Sequence, residues 1–122
     1  MGIPAPGSIP QFLVHQLSQQ TKTTLSSVPY RGSAPLVQDL MGGQIAAGTT
    51  ALGEFVEPHQ AGRLRVLAVL GAQRSAALPD VPTFAEQGVR IDWEYWLGLF
   101  APARTPAPEV QRIHAAVSRA LA

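Results

Sequence analysis

Residues 64 to 70 form a nearly continuous apolar run, Leu64, Val66, Leu67, Ala68, Val69 and Leu70, interrupted by Arg65 alone. A run this short and this apolar predicts a strand over Arg63 to Leu70 that is buried on both faces, as in a parallel sheet. Parallel neighbours cannot be joined by a tight turn. They need crossover connections, usually helices. The rest of the chain must therefore supply helices between short strands, and its punctuation does so.

Ser8-Ile9-Pro10-Gln11 announces a first helix. Ser8 is a cap, Pro10 suits the first turn, and Gln11 completes a capping box. Ile9, Phe12, Leu13 and Leu17 then share one helical face. Thr24 to Tyr30 reads as a strand, with Pro29 placing it at an edge or a strand end. Gly32-Ser33 opens a second helix with Leu36, Val37, Leu40 and Met41 as its apolar face, and Gly42-Gly43 stops it. Gln44 to Thr49 reads as another strand, weakened by alanine. A third helix is expected from about Thr50 to Ala61, bent or interrupted at Pro58 and ended by Gly62. Thr83-Phe84-Ala85-Glu86 is a second capping box, opening a short helix that ends at Gly88. Trp93 to Ala101 reads as an aromatic strand. Thr105-Pro106 starts a last helix whose buried stripe is expected to be Val110, Ile113, Val117 and Leu121. Strands alternating with helices predict one α/β domain over residues 1–122 with a mostly parallel sheet.

Composition narrows the function. The 122 residues include no Cys, which removes disulfides, thiolate metal sites and cysteine nucleophiles. Nine Lys and Arg against eight Asp and Glu give a formal charge of +1, with the basic residues scattered. No nucleic-acid partner is expected from that distribution. No apolar run reaches the ~18–20 residues of a membrane-spanning helix. The start, Met1 to Pro6, lacks the basic and apolar stretches of a signal peptide. His15, His59 and His114 are isolated from one another, and there is no Walker A loop, no G-x-S-x-G elbow and no dinucleotide fingerprint. Neither a metal, a cofactor nor an enzymatic activity is expected.

What recurs is a small or hydroxyl residue at each of three predicted helix starts, Ser8, Ser33 and Thr50. In a parallel sheet, helices that follow strands begin at the carboxyl edge, where open α/β sheets bind ligands. Helix N-termini present free N–H groups suited to carboxylate or phosphate. Simple capping explains each start equally well. Arg31 is either a further donor to an anion or a solvated arginine. Trp93, Tyr95 and Trp96 suit core packing or an interface between lobes better than a stacking platform.

Several ordered motifs resemble the tripartite tricarboxylate transporter receptors, also called Bug proteins. They are Val28 to Pro35 followed by Asp39 to Gln44, Ala61 to Val69, Arg74-Ser75 through Leu78 to Thr83, Ala85 to Gly88, and Trp96 to Pro102 with Thr105-Pro106. The likeness covers about residues 7–122. It implies a three-layer α/β lobe of a type II periplasmic-binding-protein-like fold, namely the second of two lobes that close on a ligand. It implies an extracytoplasmic, periplasmic receptor that captures a small carboxylate and delivers it to the membrane subunits of a tripartite tricarboxylate transporter.

The resemblance implies three ligand-facing loops: Gly7, Ser8 and Ile9; Tyr30, Arg31, Gly32 and Ser33; and Thr49, Thr50 and Ala51. Backbone amides, hydroxyls and bound waters would hold the carboxylate. The chain has Gln11 where the family often has His, Ala46 where it often has Asp, and Thr50-Ala51 near where it often has an Asp-Asn pair. Ligands bearing an amino group are thereby disfavoured, and a simple carboxylate is expected. Arg104 replaces a common Gly. The partner first lobe is absent from this stretch, which leaves self-association of an isolated lobe open. The alternative is the effector-binding domain of a cytoplasmic transcription regulator, which shares the two-lobe architecture.

Overall fold

In the computed structural model, which describes residues 1–91, 93 and 98–121, helices and short parallel strands alternate. The order is β1 (Gly2–Ile3), α1 (Ile9–Thr21), β2 (Val28–Pro29), α2 (Ser33–Met41), α3 (Gly53–Gln60), a single 3₁₀ turn (Ala85–Gln87) and α4 (Ala107–Leu121). β1 and β2 pair in parallel with Gly2 opposite Val28 and Ile3 opposite Pro29. Gly48 forms a parallel bridge to the other side of Gly2, and Val69 forms one to Thr83. Every strand pairing among the described residues is parallel, as an α/β domain requires.

Strand lengths differ from expectation. The strand read over Thr24 to Tyr30 shrinks to Val28–Pro29, and the one over Gln44 to Thr49 to the bridge at Gly48. Arg63 to Leu70 is ladder-bonded only around Val69, through the Val69 N–H to Pro82 and the Phe84 N–H to Val69. Nor is this run covered on both faces: Val69 is buried, but Leu67 is 67% exposed. Its other edge has no neighbouring strand among the described residues. Four of the nine residues of the strand read over Trp93 to Ala101, Tyr95 and Trp96 among them, lie outside the described residues, and no strand forms at Trp93 or residues 98–101. The Trp93 ring meets Phe12 of α1 edge to face, 6.4 Å between centroids.

The helices follow their local signals more closely. α2 begins after Gly32, whose φ of +99° is one that a side chain rarely tolerates, and ends at Gly42. α3 starts three residues later than expected and runs through Pro58, which sits in its last turn where few bonds remain to be lost. The Thr83–Glu86 capping box is complete. Glu86 N–H donates to Thr83 Oγ1 (3.1 Å), and Thr83 N–H donates to the Glu86 carboxylate (2.7 Å). That accounts for Thr83, a buried polar residue.

The corresponding box at α1 does not form. Ser8 Oγ donates back to the Ala5 carbonyl (2.6 Å), and the Gln11 side chain accepts from Gly7 N–H (2.6 Å). The α4 stripe is a second correction. Val110, Ile113, Val117 and Leu121 are all exposed, because nothing among the described residues lies against that face.

Two apolar clusters form the core. Leu36, Val37 and Phe55 pack with Tyr30, Leu40, Met41, Ile45, Leu64 and Val66. Val69, Leu78 and Val81 pack with Leu52, Val56 and Val66. Val66 belongs to both clusters, so the 63–70 segment ties α2 and α3 to the later loops.

Candidate functional site

Parallel pairing fixes the direction of the three strands at Gly2–Ile3, Val28–Pro29 and Gly48, so the chain leaves each at the same carboxyl edge. Three loops gather there. Pro4 to Ser8 leads into α1, Tyr30 to Gly32 into α2, and Thr49 to Leu52 into α3. Backbone bonds bind them together: Tyr30 N–H donates to Ile3 (2.8 Å), Gly32 N–H to Pro4 (2.9 Å), and Thr49 N–H to Gly2 (2.9 Å). One side-chain bond completes the set. Ser33 Oγ, in the first turn of α2, lies 2.6 Å from Thr50 Oγ1.

A trough of about 980 Å³ runs beside these loops, lined by the polar Ser8, Ser33 and Thr50 and by apolar residues such as Leu13, Phe55 and Val66. Of the residues expected to face a ligand, Ser8, Ile9, Ser33, Thr49, Thr50 and Ala51 line it. Gly7, Tyr30, Arg31 and Gly32 do not. The Gly7 amide is taken by Gln11 and the Gly32 amide by Pro4, so neither is free to donate. Tyr30 turns its hydroxyl to Asp39 (2.8 Å), and this hydrogen bond to a carboxylate, with some burial and the adjacent charge, raises the phenol above its ordinary pKa. Arg31 is exposed.

The helix starts offer unpaired amides. α1 begins Ser8-Ile9-Pro10 and α2 begins Ser33-Ala34-Pro35. Each proline lacks an N–H, which leaves two neighbouring amides per helix, Ser8 and Ile9 or Ser33 and Ala34, without an intrahelical acceptor. These amides and the two hydroxyls suit an anion. Among the described lining residues Arg65 alone has a charged side chain. It was not singled out from the sequence, although its position inside an apolar run was the available signal. Capping by Ser33 and Thr50 is corrected: Gly32 and Leu52 are the residues preceding α2 and α3, and the two hydroxyls bond each other. No cluster of three His, Cys, Asp or Glu able to share a metal occurs among the described residues.

The chain's relatives fall in one family. Residues 2–122 match the tripartite tricarboxylate transporter family receptor profile. BugT of Bordetella pertussis is 33% identical over 94% of this chain and 36% of its own length. A UPF0065 protein from the gbd 5′ region of Cupriavidus necator is 35% identical over 96% of this chain and 36% of its own length. Among solved structures, R. palustris Rpa4515 with adipate has a TM-score of 0.85 and 33% identity over 93% of this chain and 38% of the other. A TctC solute-binding protein from Polaromonas, without ligand, has a TM-score of 0.74 and 30% identity over 97% and 41%. The chain thus spans little more than a third of the length of these relatives, and its α/β architecture is that of a part of a periplasmic solute-binding protein. It belongs to the family of tripartite tricarboxylate transporter receptors, the TctC or Bug proteins.

Proposed function

We propose that residues 1–122 form one ligand-binding lobe of a periplasmic receptor that captures a small carboxylate for a tripartite tricarboxylate-type transporter. The observation that carries this reading is that the Ser33–Thr50 hydroxyl pair and the start of α1 at Ser8 and Ile9 line the same trough. A carboxylate fits there without an arginine clamp, its oxygens accepting from amides and hydroxyls at the positive ends of two helices. The lobe works by binding. A second lobe closing over the same ligand would bias an open–closed equilibrium that the transporter's membrane subunits read. No group in this set acts as a nucleophile, so the protein is not read as an enzyme. Adipate in the R. palustris protein supports a carboxylate ligand, and the absence of acidic side chains at Ala46, Thr50 and Ala51 supports one without an amino group.

The test is a hybrid in which residues 1–122 replace the matching part of R. palustris Rpa4515. Titration calorimetry with adipate and other simple carboxylates is expected to show binding that Ser33→Ala and Thr50→Val each weaken. A folded hybrid that binds no carboxylate at millimolar concentration refutes the reading.

A further inference from the structure

The run from Arg63 to Leu70 is fastened to the end of α3 by a short series of bonds. Gly62 N–H donates to the His59 carbonyl (3.0 Å), and the Arg63 and Leu64 amides both donate to the Pro58 carbonyl (2.9 and 3.3 Å). The last of the series is of another kind. Val66 N–H donates to Nδ1 of the His59 side chain (3.2 Å), in the last turn of α3. Both residues are half-buried, whereas His15 and His114 are exposed. Val66 is also the side chain shared by the two apolar clusters. An imidazole nitrogen accepts only while it carries no proton, so this bond selects the neutral ring with its proton on Nε2.

We infer that His59 is an acid-sensitive latch, holding the 63–70 run to the end of α3 through Val66 when neutral and releasing it when protonated. Protonation places a second donor on Nδ1, facing the Val66 N–H, and two donors cannot bond. Either the ring swings out or the Val66 amide loses its partner, and both loosen the run at the residue that joins the clusters. The latch is therefore closed where the imidazole is neutral. It opens as pH falls through the range in which histidines ordinarily charge, about pH 5–8. The charged groups around it are few. α3 carries Glu54 and Glu57 and the run carries Arg63 and Arg65, with Glu57 and Arg63 paired to each other. α2, packed on α3, carries only Asp39, which accepts from Tyr30. The loop that reaches Val56 of α3 through Leu78 and Val81 carries Asp80 and Arg74, and Arg74 pairs with Glu86. None of these charges bonds the imidazole, whose partner among the described residues is the Val66 amide. The inference does not depend on which ligand binds.

Amide hydrogen exchange of the 122-residue chain, followed by NMR from about pH 8 to about pH 5, reads the latch directly. With each rate divided by its intrinsic rate at that pH, protection at Val66 is expected to fall about tenfold or more, while Val14 and Leu36 keep theirs. His59→Gln retains a side-chain acceptor that does not titrate, and is expected to hold the Val66 protection level across the same range. Nitrogen shifts of the imidazole in the unsubstituted chain supply a second readout, with the proton expected on Nε2 at the alkaline end. Three results overturn the proposal. Val66 protection is independent of pH in the unsubstituted chain; His59→Gln shows the same fall, which assigns it to another group; or the Nδ1 atom of His59 carries the proton at the alkaline end.

Discussion

Glu86 concentrates more electrostatic consequence than any other described side chain. Its carboxylate takes a hydrogen bond from Arg74 and another from the Thr83 amide, and these hold its pKa at about 2, well below the ordinary carboxylate value of 4.5. A depressed carboxylate pKa stabilises the fold above the unfolded value and loses that contribution as pH falls through the folded one. The loop from Gln73 to Gly88 is therefore expected to loosen between about pH 4.5 and 2. Glu86→Gln should remove that acid dependence while lowering stability at neutral pH, as urea unfolding across pH would show. An unchanged acid transition in the variant would place the sensitivity elsewhere.

This box was legible in the sequence, but the same pattern at Ser8 to Gln11 was misleading. In the second case both side chains find nearer partners in the preceding Ala5–Gly7 turn. A capping box is thus a statement about local competition, which four letters do not contain. Packing sets a second limit at this scale. A Cβ on Gly48 would stand 2.8 Å from Leu36 Cδ2, and Leu36 is fully buried, so it has no room to yield. Gly48→Ala is expected to cost about 1–3 kcal/mol in chemical unfolding. A neutral result would show that the bridge at Gly2 opens easily.

Among elements, helices were readable and strands were not, for a physical reason. Gly32, Gly42 and the Thr83 box act within a few residues, so α2 and the 3₁₀ turn sit close to where the letters put them. A strand exists only where a neighbour supplies its hydrogen bonds. The 63–70 run has the composition of a central strand but, among the described residues, only one paired edge, around Val69. α4 shows the same dependence on a partner. Its stripe is legible as a stripe, yet Ile113 and Val117 remain 38% and 37% exposed because no surface among the described residues meets them. Val117→Lys should therefore change the stability of the 122-residue chain by no more than about 0.5 kcal/mol. A loss of several times that would mean the stripe is covered in solution, by a second copy or by the rest of the chain. Ser33→Ala belongs to this scale too. It removes the tie between α2 and the 49–52 loop, not a helix cap, and is expected to cost about 0.5–1.5 kcal/mol.

For the whole molecule, the open trough and the uncovered α4 face both bear on affinity. The candidate site offers amides and hydroxyls from one side only, and its ligand would keep much of its surface in water. Binding must overcome lost translational and rotational freedom, commonly 4 kcal/mol or more by rough estimate. A few half-solvated hydrogen bonds worth about 0.5–1.5 kcal/mol each do not greatly exceed that. Calorimetric titration of the 122-residue chain with adipate is thus expected to show weak or undetectable binding. Submicromolar affinity corresponds to more than about 8 kcal/mol, and finding it would mean that this lobe alone encloses its ligand. On the proposed reading the same carboxylate should bind more tightly once a second lobe covers it, because the added contacts would fall on a ligand already held at Ser33 and Thr50. The difference between the isolated chain and the Rpa4515 hybrid therefore measures what closure adds, separately from what these three loops provide.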